Sequence, residues 1–397
     1  MRTTLNRKGV LGIIFLITSI GWGLGPALSA VHEPLGNAED FQGKLNDPKR
    51  IATDFETYKN TIDDLFFTAL TVRPESERGM NEVIVDLNRK LAEHPNDTET
   101  LISLGHLYRL LKQPQEANKF YEKALALKPE SFHLYCFSAM MYYQMKNFPK
   151  AIEQLEHSLK INPDDVDAWL GRGRTLIKLG KESAAAESYE KALSLDAENT
   201  EARFTLGVLY RRMEKFDEAQ KLFESLIDRK DYAELAKYHL GVINVKKRKS
   251  EQAIRHWEPL FLEGIRDPEF LLNLSLVYLA NKDYSKAEAI LKPLQLLYPR
   301  ETSIQFFLGE LYRHMEHFVD AEQMYRFVIV EDPQYGNAYI GLAFALAEQG
   351  KTKEAIAVLD SVTGGSKESE EFQKMKRVIE DIYIKEQKKE ASDDGNK

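Results

Sequence analysis

The chain has 397 residues, 43% of them hydrophobic and 29% charged, which excludes wholesale disorder and leaves room for two or three globular domains or one extended array. Its formal net charge is −8 and its longest basic run is KKRK, Lys246 to Lys249, so a phosphate backbone would be repelled and nucleic acid is not an expected partner. The one cysteine, Cys136, can make neither an intrachain disulfide nor a paired-cysteine metal knuckle, so apolar packing must hold the fold.

In chain order, Arg2, Arg7 and Lys8 precede an apolar run from Val10 to Ile20, then Pro26 and the small residues Ala27 and Ser29. A basic flank, a short apolar core and a small-residue site predict a signal peptide over residues 1–30. The alternative is an uncleaved anchor, because no charge interrupts the stretch between Lys8 and Glu33. Both readings export the remainder of the chain, since the positive flank stays inside. Residues 31–53, rich in Gly, Asn, Asp and Pro, read as a linker. Residues 54–97 read as a degenerate helix pair, Phe55 to Leu70 and Met80 to His94, closed by Pro95.

From residue 98 to 369 the sequence has a period of 34. A small residue recurs at Gly105, Ala139, Gly173, Gly207, Gly241, Ser275, Gly309 and Ala343. Twelve residues after each comes an alanine, from Ala117 to Ala355. Three after it come Tyr108, Tyr142, Leu176, Tyr210, Asn244, Tyr278, Tyr312 and Leu346. Leu101, Leu104 and Tyr108 share one helical face, and the second half of each unit carries its own apolar stripe. Each unit is thus predicted as two amphipathic helices that cross where the residues are small, with Pro129, Pro163, Pro299 and Pro333 stopping the second helix. One such hairpin cannot bury its apolar faces alone, whereas stacked neighbours can. After the array, Phe372, Met375, Val378, Ile379, Ile382 and Tyr383 predict a capping helix over residues 370–385, followed by a disordered tail over 386–397.

This pattern resembles the tetratricopeptide repeat family. Leu104, Gly105, Tyr108, Ala117, Tyr121, Ala124 and Pro129 meet the family pattern in the first unit, and Trp169, Gly173, Tyr189 and Ala192 meet it in the third. Ala197 and Asp231 stand where the proline is expected, and Asn244 stands where a tyrosine is. The resemblance implies an all-α fold, a right-handed superhelical solenoid of eight 34-residue helix-turn-helix repeats, flanked by the degenerate pair and the capping helix. It also implies that the first helix of each unit lines a concave groove where a partner segment lies. Carried onto this chain, the groove includes Arg109, Phe137, Met140, Tyr143, Arg174, Phe204, Arg211, Tyr238, Phe306, Phe307 and Arg313, together with Val208, His239, Asn273, Leu276, Glu310 and Phe344. A surface so rich in Phe, Tyr and Arg has the composition of a binding face. The family's chaperone-tail clamp is absent, because Ile102, Cys136, Leu170 and Phe204 occupy its lysine positions, and His106 and Met140 its asparagine positions.

The stretches Phe204 to Ala219 and Phe306 to Ala321 (FTLGVLYRRMEKFDEA and FFLGELYRHMEHFVDA) lie 102 residues apart, three periods. Within the second, His314 and His317 have a spacing that suits a metal pair, but Arg212 and Lys215 hold the same places in the first, so a solvated turn is expected and no metal. No hydrolase elbow, zinc-protease, Walker or dinucleotide motif occurs, and neither cofactor nor catalysis is expected. The triplet LYR recurs at every third unit, so Arg109, Arg211 and Arg313 are expected either to donate charge-assisted hydrogen bonds to a bound segment or to lay their stems over a neighbouring helix. The function this supports is an exported scaffold, in the periplasm or on the periplasmic face of the inner membrane. It would hold a peptide or helix of another envelope protein and touch the membrane only through an uncleaved N-terminal segment. A glycan-binding or enzymatic protein with a site built from groove residues is the alternative, and the oligomeric state is left open.

Overall fold

The computed structural model describes residues 77–362 and 370–394, with the side chains of the last helix described over 372–385. The expected signal segment, the linker, the first helix of the degenerate pair and residues 395–397 lie outside the described residues. Among the described residues there are eighteen α-helices and no strand. The all-helical, repeat-built class read from the 34-residue period is therefore what the chain adopts.

In order the helices are α1 Glu77–Glu93, α2 Thr98–Leu110, α3 Pro114–Leu127, α4 Phe132–Gln144, α5 Phe148–Ile161, α6 Val166–Lys178, α7 Glu182–Leu195, α8 Thr200–Arg212, α9 Phe216–Glu224 and α10 Ala233–Lys246. They continue as α11 Ser250–Leu262, α12 Pro268–Ala280, α13 Tyr284–Leu297, α14 Thr302–His314, α15 Phe318–Glu331, α16 Gly336–Glu348, α17 Thr352–Ser361 and α18 Glu370–Asp394. The packing divides them into two compact units, with the boundary inside α10 between Ile243 and Asn244.

The starts and stops are local chemistry. Asp97, Asp165, Asn199 and Asp267 cap α2, α6, α8 and α12 by accepting hydrogen bonds from backbone N–H groups that the helix cannot satisfy itself. α3, α5, α13 and α15 end two residues before Pro129, Pro163, Pro299 and Pro333, because the residue preceding a proline is driven out of helical geometry. The turn inside each pair is built the same way throughout. Every 34 residues one residue takes a left-handed backbone: Lys112, Lys146, Gly180, Glu214, Arg248, Lys282, Glu316 and Gly350, with φ between 56° and 77°. That kink lets the next N–H reach back five residues, as in Gln113 to the Tyr108 carbonyl (2.9 Å) and His317 to the Tyr312 carbonyl (2.8 Å).

In the N-terminal unit the core is the crossing of paired helices. A Cβ added at Gly105 would sit 2.5 Å from Cε1 of Tyr121, and one at Gly173 would sit 2.6 Å from Cε2 of Tyr189, so an aromatic ring of the second helix fills the notch left by the first. Tyr121 and Tyr189 are completely enclosed there. Neighbouring pairs are then locked by a polar staple, in which the Tyr142 and Tyr210 hydroxyls donate to Glu122 and Glu190 of the preceding pair. α9 has only nine residues and stops at Ser225, yet Leu226 beyond it is still fully buried.

The C-terminal unit repeats these devices. Tyr278 donates to Glu258 at 2.9 Å, and Lys286 lies over the Tyr278 ring while binding the same carboxylate at 2.6 Å. α18 buries Phe372, Met375 and Ile379, which covers the apolar edge of the last pair. It runs on to Asp394, past residue 385, because KEQKKEA consists of strong helix formers. Outside, Leu262, Leu296 and Val330, one period apart at the ends of α11, α13 and α15, are 75%, 83% and 76% exposed.

Candidate functional site

The residues expected to form a groove lie on α2, α4, α6, α8 and α10 in one unit and on α12, α14 and α16 in the other. Their side chains fall into three groups.

The first group is sealed into the packing. Phe137 sets its ring edge-on to His106 (centroids 4.7 Å apart) and stacks on Tyr121 at 5.5 Å. Phe306 lies against Phe307, Tyr325 and Tyr335 at 5.4, 5.9 and 5.0 Å. Phe137, Phe306 and Phe307 are all buried, packed ring against ring with the second-helix tyrosines and their neighbours. Arg109 is buried as well; burial, and then the Arg109 charge, push the neighbouring His106 down to about 3, so that histidine stays neutral and hydrogen-bonds the Tyr121 hydroxyl at 3.0 Å.

The second group carries charge that is answered inside the protein. Arg174 on α6 grips Glu201 on α8 through Nε (2.6 Å) and a terminal nitrogen (2.8 Å). Asp167 shares this neighbourhood, and burial, reinforced by the carboxylates of Asp165 and Glu201, pushes it up to about 6. In the other unit Arg313 binds Glu310 one turn earlier at 2.7 Å, lies over the Phe344 ring at 5.4 Å and donates to His314 Nε2 at 3.0 Å. The Tyr325 hydroxyl donates to the same Glu310. His314 also stacks on Tyr284 at 6.0 Å, while His317 stands exposed beside Asp320 across the left-handed Glu316. Among the described residues no group of three or more His, Cys, Asp or Glu could hold a metal ion.

The third group is half-buried and lies in the N-terminal unit: Met140, Tyr143, Phe204, Arg211 and Tyr238. Tyr143 meets Phe148 edge-on at 5.5 Å. Phe204 stands among Phe223, Tyr232 and His239 at 5.9, 5.2 and 5.6 Å, and Tyr238 flanks His239 at 5.4 Å. Arg211, two turns along α8 from Phe204, has a buried Nε with no hydrogen-bond partner, and so does Nδ1 of His239. His239 is held well below its usual value by burial and then by the Arg211 charge.

Sequence reasoning did not single out Glu201, Asp167 or Phe223. Of these, only Phe223 departs from its column, standing where Tyr121, Tyr189 and Tyr325 stand in other repeats. Pairing of Arg174 with Glu201, 27 residues on, is not visible before the helices are stacked.

The tetratricopeptide repeat family model matches residues 109–174, 176–237 and 312–379. A curated relative, anaphase-promoting complex subunit 6 of Arabidopsis thaliana, is 38% identical over 66 residues, which is 17% of this chain and 12% of that protein's length. Among solved structures, the C-terminal part of a repeat-containing protein from Cytophaga hutchinsonii is 18% identical, covering 61% of this chain and 99% of that one with a TM-score of 0.49. A tetratricopeptide repeat protein from Parabacteroides merdae is 16% identical over 62% of this chain and 98% of its own, with a TM-score of 0.44. Residues 109–174, 176–237 and 312–379 are thus tetratricopeptide repeats, in keeping with the 34-residue period and the helix pairs.

Proposed function

We propose that this chain is an exported, non-enzymatic scaffold that holds a peptide or helical segment of another envelope protein along the first helices of its repeats. The tetratricopeptide repeat is an interaction module, and in this chain the N-terminal unit offers the surface. Met140, Tyr143, Phe204 and Tyr238 are only partly covered, which leaves aromatic and thioether area that a bound segment would complete. That partial burial is the observation that carries the reading. The basic flank and apolar run before residue 30 support export to the periplasm or to the periplasmic face of the inner membrane, where the partner would reside.

A photo-crosslinking amino acid placed at Met140 or Tyr238, and at Leu296 as an outer control, tests this in intact cells. A discrete protein adduct from the two first-helix positions and none from Leu296 is expected, with the adduct recovered from the envelope fraction. Equal adducts from all positions, or none from Met140 and Tyr238, would overturn it.

A further inference from the structure

The three LYR arginines occupy one repeat position, yet the structure treats them differently. Arg313 is neutralised by Glu310 one turn before it, and Glu310 is itself anchored by the Tyr325 hydroxyl. Three periods earlier, the positions of Glu310 and Tyr325 are held by Val208 and Phe223. Carboxylate and phenol have been replaced together by an isopropyl group and a plain ring, so the anion that answers Arg313 is missing where Arg211 stands. No carboxylate among the described residues takes its place: the ionisable groups felt by Arg211 are Tyr238 and Arg212, and Arg212 is itself paired with Glu182. Arg211 Nε is buried without a partner, and so is Nδ1 of the buried His239 beside it. Burial without a counter-charge disfavours the cation, which lowers the proton affinity of Arg211, and an anion brought to this spot would reverse that cost.

We propose that Arg211 and His239, walled by Phe204, Val208, Tyr232 and Tyr238, form a receptor for one carboxylate of the bound segment, set beside an apolar side chain that packs on Phe204. The inference rests on the scaffold reading above and names the chemistry of the segment it holds. One guanidinium matches one carboxylate bidentately. A phosphate carries nearly twice the charge and draws on several cations, whereas this site supplies one within aromatic walls, in a chain of net charge −8. The carboxylate can belong to an Asp or Glu side chain or to a chain terminus.

The test uses the full chain, methyl-labelled so that Val208 reports from the site, titrated with acetyl-Ala-Phe-Glu-Ala-amide, its Gln isostere and acetyl-Ala-Phe with a free terminus. Shifts of Val208 with at least one acidic probe, about tenfold stronger than with the Gln isostere, are expected, and the stronger acidic probe identifies side chain or terminus. Arg211→Met is expected to lose that tenfold preference while retaining the thermal unfolding midpoint of the native chain. Val208→Glu, which restores the internal acid found at Glu310, is expected to abolish acidic-probe binding. Equal binding of the Gln isostere, undiminished binding by Arg211→Met, tighter competition by inorganic phosphate, or no Val208 shift with either acidic probe would each overturn the receptor. Persistence of the Met140 adduct in Arg211→Met cells would then leave the scaffold standing without it, whereas absence of that adduct from the native chain fails the scaffold itself.

Discussion

Arg174 and Glu201 join α6 to α8 through two hydrogen bonds of 2.6 and 2.8 Å, with side chains only 13% and 10% exposed. The pair is a tie between neighbouring repeats in the same face where Arg211 stands without an acid. Removing one partner leaves a buried charge uncompensated, so Arg174→Ala is expected to destabilise the N-terminal unit by about 3–5 kcal/mol. The double variant Arg174→Met with Glu201→Leu is expected to be near neutral, since it removes both desolvation costs together. Urea unfolding of the three chains measures the difference, and equal losses in single and double variants would refute a coupled pair.

Acid should weaken this unit through its histidines. His106 titrates near 3 when folded against an ordinary 6.5, and His239 well below it, so the unfolded chain binds protons that the folded chain refuses. Their stabilisation is complete above pH 6.5 and is lost as pH falls, by about 1.4 kcal/mol per pH unit for each histidine. Asp167, raised to about 6, opposes them between pH 6 and 4, because there the folded chain holds a proton that the unfolded chain releases. Unfolding free energies at pH 7 and pH 5 should therefore fall with acid in the native chain, less steeply in His106→Leu and more steeply in Asp167→Asn.

The notch at Gly105 should not admit a methyl group. Gly105→Ala is expected to cost about 1–3 kcal/mol, because the enclosed Tyr121 ring has nowhere to move. Gly207→Ala, whose nearest ring atoms on Phe223 lie at 3.0 Å, should cost less. Thermal unfolding orders the two, and a reversed order would show that the ring can shift.

Left-handed turn positions should respond in opposite directions to one exchange. Glu214→Gly is expected to stabilise by about 0.5–1 kcal/mol, since glycine adopts φ near 59° without strain. Gly180→Ala, at φ 71°, is expected to destabilise by about 1 kcal/mol. Paired calorimetric midpoints check both signs.

The period of 34, the small residues opposite aromatics and the prolines made the helix pairs readable before any coordinates, because each unit is specified by contacts within itself and with its immediate neighbours. The candidate site was legible only as a column of positions. Sequence placed Phe137, Phe306 and Arg211 in one class, whereas packing seals the first two and leaves the third half-buried. Of the histidine pair, His317 lies exposed past the turn as expected, beside the left-handed Glu316, whereas His314 ends α14 and is half-buried against Tyr284 and Arg313.

What the sequence determined by itself is the repeat, since hydrophobic period, caps and turn residues act over a few neighbours along the chain. What tertiary structure alone decided is the fate of each charge. Whether an arginine meets Glu201, Glu310 or no acid depends on which side chains stacking brings within about 3 Å, at the hydrogen-bond distances where burial makes an unanswered cation costly.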